Sequence, residues 1–117
     1  MNLEESVQKH AEWKVKFRAA IAKQEQMDAG TIAKDNCCQL GQWLYGEGKS
    51  TQGTRPEYRQ AIEAHRAFHA AAGKVALLIN ARKYSAAESA IENGTAYAQI
   101  SAKVGMALIA LKKAAKL

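Results

Sequence analysis

The sequence predicts an all-α protein, a four-helix bundle with an inserted short helix that carries a pair of cysteines. Three observations carry this expectation. Apolar residues recur at helical spacing along most of the chain, the composition is alanine-rich and 48% hydrophobic with a single proline, and helix-breaking residues are confined to four regions. At 117 residues the chain has the size of one domain, 1–117, able to bury a single core.

The first helix is expected from Leu3 to about Met27, because Leu3, Val7, Trp13, Phe17, Ala20 and Ile21 fall on one face. His10 shares that face. "MDAG" and "TIAKD" end the segment, with Gly30 available for a left-handed turn. The inserted helix should start at Asp35 or Asn36, since Asn36 and Gln39 have capping-box spacing, and run to about Tyr45. "GEGKSTQG" closes it. Thr54, Pro56 and Glu57 then mark a new start: a threonine cap, a proline in the first turn and a glutamate three residues after the cap. From there Tyr58, Ile62, His65, Phe68, His69, Ala72, Val75, Ala76 and Ile79 trace one buried face to about Arg82. "SAAE" at 85–88 opens the last helix, expected to reach about Lys116. It carries two stripes, a small one (Gly94, Ala98, Ala102, Gly105) and a larger one (Ile91, Tyr97, Ile100, Val104, Leu108, Leu111). Two such stripes fit a helix covered on one side within the monomer and on another by a second copy, so a homodimer is expected; close packing inside one monomer is the alternative.

The formal charge of +6 does not point to nucleic acid, because the basic residues are scattered over 14–18, 55–66, 74–83 and 103–116 without an aromatic stripe or a known nucleic-acid motif. No apolar run approaches the roughly 18 residues of a spanning helix, and "MNLEESVQKHAEW" lacks the features of a signal peptide, so no membrane insertion and a cytoplasmic location are expected. Thiols in that compartment are kept reduced.

All three histidines lie on the apolar faces of expected helices. His65 and His69 are one turn apart, so their imidazoles project from one face toward a common point. Tetrahedral zinc needs four nitrogen or sulfur donors, and His10 with one of the two cysteines would complete the set. Cys37 and Cys38 are adjacent, which suits a disulfide between them poorly. His65 is followed by Arg66 and not by glutamate, which excludes the metalloprotease pattern, and the paired C-x-x-C spacing of zinc fingers is absent.

"HAEW" at 10–13, "CQLGQW" at 38–43 and "HRAFH" at 65–69 together resemble the chemoreceptor zinc-binding (CZB) domain family, whose pattern is a histidine followed by an aromatic, a distant C-x-hydrophobic-G-x-hydrophobic segment and a final H-x-x-x-H. The resemblance implies a helical bundle, dimers and four Zn2+ ligands: His10, Cys38, His65 and His69. It aligns Leu40, Gly41 and Trp43 so that Cys38, and not Cys37, is the sulfur ligand. A first-turn position would favour the Cys38 thiolate. Cys37 would point about 100° away around the helix, either as a small buried apolar residue or as a thiol able to capture oxidised Cys38. Gly41 suggests close approach of a neighbouring helix, and Trp13 and Trp43 are candidates to wall the site. Four protein ligands leave no open position for substrate, which argues against an enzyme. The resemblance implies instead a regulatory domain for a chemoreceptor or a diguanylate cyclase, in cis within a longer protein or in trans, responding to zinc availability or to oxidation of the bound cysteine, for instance by hypochlorous acid. A zinc-stapled dimerisation or interaction module is the alternative.

Overall fold

The computed structural model describes residues 1–117 and is all-α, with eight helical segments and no strand. They are α1 (Leu3–Ala11), α2 (Trp13–Lys23), α3 (Ala29–Ile32), α4 (Gln39–Tyr45), α5 (Glu47–Gln52), α6 (Pro56–Asn80), α7 (Tyr84–Ala90) and α8 (Ala96–Ala115). α1 and α2 form one rod, because Glu12 between them keeps right-handed helical angles and its amide still bonds Gln8. This rod, α6, α7 and α8 make the bundle, and α3 to α5 form the insertion.

The periodicity located the rods, but several ends differ from expectation. The first rod stops at Lys23, with Gln24 left-handed (φ 55°) and the Glu25 amide bonded to the Ala20 carbonyl. Gly30 ends nothing; it lies inside α3, whose cap is Asp28, accepting from the Thr31 amide and hydroxyl. The inserted helix begins at Gln39 and not at 35 or 36: Cys38 is its cap, and no Asn36 capping box forms. The glycine-containing segment after it is partly helical, as α5. Thr54 does not cap α6; Arg55 occupies that position without a side-chain bond, and Pro56 sits in the first turn. The expected last helix is two. Gly94 (φ 84°) lies in the break, and Thr95 caps α8 by accepting from the Ala98 amide. Gly94 therefore does not belong to the small stripe of α8.

The core runs along α6, which packs on α8, α3, α7 and α2. Phe17, Ala61, Phe68, Ala72, Ala76, Ile91, Leu108 and Leu111 are wholly buried. α1 and α8 run in opposite directions, since Glu4 pairs with Lys112 while a Cβ at Gly105 would meet Val7. Of the larger stripe, Tyr97, Val104, Leu108 and Leu111 of α8 face this core, while Ile91 is buried at the end of α7 and Ile100 is half-buried. The smaller one lies partly open along the α1 side, flanked by exposed Met106 and Ile109. No helix is long and apolar enough to cross a membrane.

Three contacts fix α3 on α6. Gly73 leaves room for Ala33: a Cβ there would come within 2.6 Å of the Ala33 Cβ. Below it, the Asn80 side chain bonds the Met27 backbone twice, accepting from its amide and donating to its carbonyl, each at 2.8 Å. Ile32 is buried between them in sequence, and its carbonyl is turned toward α6.

Candidate metal centre

The segment Asp35 to Cys38 arrives as a tight non-helical turn that folds back over α4. Its constraint is Gly41: a Cβ at that position would stand 1.8 Å from the Asp35 carbonyl oxygen. The close approach inferred from this glycine is real, but it is by the preceding turn and not by a neighbouring helix. The Tyr45 hydroxyl donates to the Asp35 carboxylate, and Arg66 of α6 lies 3.8 Å from the same oxygen. With the turn so held, Cys38 caps α4, its Sγ accepting the Gly41 amide at 3.3 Å.

The structure brings His10, Cys38, His65 and His69 together, with one donor atom from each within 4.8 Å of all the others. The Cys38 Sγ lies 4.0, 3.3 and 3.6 Å from the Nε2 atoms of His10, His65 and His69, and His10 and His65 Nε2 are 3.2 Å apart. Zinc–nitrogen and zinc–sulfur bonds of ordinary length set at tetrahedral angles require edges of about 3.3 Å between nitrogens and about 3.6 Å between nitrogen and sulfur. The His10–His65 edge and the sulfur edges to His65 and His69 come close to those values, and the sulfur edge to His10, at 4.0 Å, is longer. The donors come from α1, the start of α4 and two turns of α6, so a bound ion would link three separated parts of the chain.

Two of the imidazoles are oriented from behind. His10 Nδ1 donates to the Ser6 carbonyl one turn earlier at 2.7 Å, and His69 Nδ1 donates to the Ile32 carbonyl at 2.8 Å. Each carbonyl can only accept, so the ring proton sits on Nδ1 and the Nε2 lone pair faces the cluster. His65 differs: its Nδ1 is buried and has no partner. One aromatic ring lines the imidazole side of the cluster, while Cys38 remains partly exposed. Phe68 lies edge-on to His10 and His69 at ring separations of 5.2 and 5.5 Å. Trp13 packs on Phe17 with Lys16 over its ring, and Trp43 covers Gly48.

Burial sets the electrostatics. It lowers the pKa of His10 and takes His65 down to about 3, with help from the neighbouring imidazoles, so both rings are neutral at pH 7, as metal ligands must be. Burial also pushes the Cys38 thiol up, against the Gly41 amide bond that pulls it down. A position at the helix start therefore does not by itself make Cys38 a thiolate; a cation beside it would. Cys37 is exposed, contrary to the buried apolar reading, and its thiol points to Asn36.

Sequence reasoning missed the parts that hold the ligands: the Ser6 and Ile32 carbonyls, Gly73, Asn80 and the wall made by Phe68. One signal was available. Gly73 is a glycine inside a long helix, one turn after His69, where it weakens the helix unless something must come close.

Among protein families, the profile described as chemoreceptor zinc-binding domain matches residues 10–76, more than half of the chain, from the first histidine of the cluster to beyond the last. Comparison with curated proteins and with solved structures finds no match.

Proposed function

The chain belongs to the chemoreceptor zinc-binding domain family, and from that premise we propose that it is a non-catalytic sensory domain of bacterial signalling that holds Zn2+ through His10, Cys38, His65 and His69. The observation that carries the reading is the donor set itself: one sulfur at the cap of α4 and three buried imidazoles on α1 and α6, all within 4.8 Å of one another. Bound there, Zn2+ would supply a cation that favours the Cys38 thiolate. With all four donors from the protein, the site offers no vacant position for a substrate.

Cys38 is the donor most open to oxidation. Its thiolate attacks the chlorine of hypochlorous acid to give the sulfenyl chloride and hydroxide; water then yields the sulfenic acid, chloride and a proton. The thiolate donor is lost in that step, and α1, α4 and α6 lose a common tether. The reading includes a cytoplasmic location, a homodimer formed through the open small-residue side of α8 beside Met106 and Ile109, and output to a chemoreceptor or diguanylate cyclase in cis or in trans. Zinc as a permanent staple is the competing reading, favoured by the way the cluster joins distant segments.

Metal analysis of the purified wild type beside His65→Ala and Cys38→Ala, with hypochlorous acid added to the wild type, tests the proposal. One zinc per chain, lost in both variants and released by oxidant, is expected; retention of zinc in both variants would overturn the site. Helicity and dimer state with and without chelator separate the two readings: a folded metal-free chain with altered packing marks the sensor, an unfolded one the staple.

A further inference from the structure

The helix that carries the sulfur needs an anchor at its far end, and one residue outside the cluster provides it. α4 is only seven residues long, too short to keep its shape in water without tertiary contacts. It packs on α5, and its buried side chains Leu40 and Leu44 join the core. Apolar contact is non-directional and leaves a short helix free to slide along its neighbour. We infer that Tyr58 is a positioning residue for the metal centre: its hydroxyl holds the Leu44 carbonyl, fixes how far α4 sits along α6, and so sets where the Cys38 sulfur meets His65 and His69. The inference rests on the metal-binding reading above for the ion, and on the packing of α4 alone for the placement of the sulfur.

Tyr58, His65 and His69 follow one another on α6 at intervals of seven and four residues, so they share one face. Their partners follow in the opposite order. Cys38, at the start of α4, gathers with His65 and His69, while Leu44, in its last turn, meets Tyr58. α4 therefore runs antiparallel to this stretch of α6. The seven residues from Tyr58 to His65 span about 10.5 Å and the six from Cys38 to Leu44 about 9 Å. Two attachments so nearly matched in spacing hold the short helix at both ends.

The far attachment is directional and dry. The Tyr58 hydroxyl donates to the Leu44 carbonyl at 2.7 Å, and the two residues are 5% and 1% exposed. A carbonyl in the last turn of a helix has no amide partner within that helix, so a buried one needs a donor from elsewhere. The other polar contacts from the bundle to this arm lie near its start and in reach of water: Lys9 to Gln39, and Arg66 to Asp35. Exposed contacts of that kind hold weakly. Phenylalanine at position 58 would keep the ring but leave the Leu44 carbonyl without its donor. α4 would then shift to regain a partner for it, and Cys38 would shift with α4.

The test uses the full chain carrying Cys37→Ser, so that Cys38 is the one thiol. Co2+ is the probe, because thiolate ligation gives it a near-ultraviolet charge-transfer band. Tyr58→Phe should bind Co2+ about 10-fold more weakly and show a weaker band per bound ion. Ile79→Ala, at the other end of α6, should leave the band per bound ion unchanged, since loss of stability alone does not move the sulfur. A full band in Tyr58→Phe, or an equal loss in Ile79→Ala, would overturn the inference. Far-ultraviolet circular dichroism checks folding: a variant that folds only with metal is read by the same band, and one unfolded even with Co2+ marks Tyr58 as structural and overturns the inference. If the chain with Tyr58 intact takes up no Co2+, the metal reading fails instead. Alkylation of Cys38 in the metal-free chain then judges Tyr58: Tyr58→Phe should react faster, and equal rates would mean that the hydroxyl does not place the sulfur.

Discussion

The cluster at the middle of α6 and the apolar end of the same helix are both buried, yet they are ordered by different forces. At the apolar end, Ala76 and Ile79 of α6 pack near Ala87 of α7 and near Ile91, with no polar group among them. Those four side chains need only exclusion from water, beside the paired bonds that Asn80 makes to Met27. At the cluster, a sulfur and three imidazoles replace hydrocarbon, and their positions depend on carbonyls, a turn and a missing Cβ. The contrast shows a division of labour: the hydrocarbon makes the bundle, and the polar middle gathers the four donor atoms. Damage at one region should therefore leave the other's measurement unchanged, except where a side chain belongs to both.

Phe68 belongs to both, and it carries the largest expected effect. It is wholly buried, meets the rings of His10 and His69, and lies 5.9 Å from Tyr97 of α8. Phe68→Ala should cost about 3–5 kcal/mol of stability and weaken zinc binding by about 10–100-fold. Denaturant unfolding of the metal-free chain and competition with a chromophoric chelator read the two losses. Unchanged affinity beside a large stability loss would show that Phe68 is core alone.

Ile79→Ala sharpens the contrast from the apolar side. Ile79 is 1% exposed and ten residues beyond His69, about 15 Å along the helix. The substitution should cost about 2–5 kcal/mol with zinc affinity retained in the folded fraction. A parallel fall in affinity would mean that the two regions are one cooperative unit.

From the cluster side, Gly41→Ala forces a Cβ against the Asp35 carbonyl and displaces the turn that presents Cys38. Stability should fall by about 1–3 kcal/mol, the usual cost of overpacking, and zinc affinity should fall with it. If affinity holds, the turn adapts without moving the sulfur.

What the sequence made legible follows the same division. Apolar spacing marks the long rods because their burial is continuous, and the one-turn interval between His65 and His69 survives any error in helix ends. The breaks were harder to see. Gln24 and Arg82 adopt left-handed angles (φ 55° and 61°) that a sequence reader expects of glycine, while Gly94, which does turn the chain, looked like one of a stripe of small residues. Cysteine is not a usual helix cap, so Cys38 was read in the first turn of a helix that begins after it. The carbonyls of Ser6 and Ile32 carry no side-chain signature at all. Only the fold brings them behind the imidazoles.

Tyr97 gives the smallest effect and the finest test of where hydrocarbon ends. Its ring is 6% exposed against Phe17 and Phe68, and its hydroxyl is buried without a partner. Tyr97→Phe removes that unsatisfied group at nearly constant shape and should stabilise the fold by about 1 kcal/mol. The phenol also reports by pH. Burial pushes Tyr97 up from 10 to about 12, so between these values the folded chain keeps a proton that the unfolded chain has released. The associated stability is fully present below pH 10 and is lost as pH rises through about 12. Phenolate absorbance should show Tyr97 ionising late, and denaturant unfolding of Tyr97→Phe should decline less steeply across that window than the wild type. Equal slopes in the two chains, or destabilisation at pH 7, would mean that the hydroxyl has found a partner and that the polar middle of the bundle reaches as far as α8.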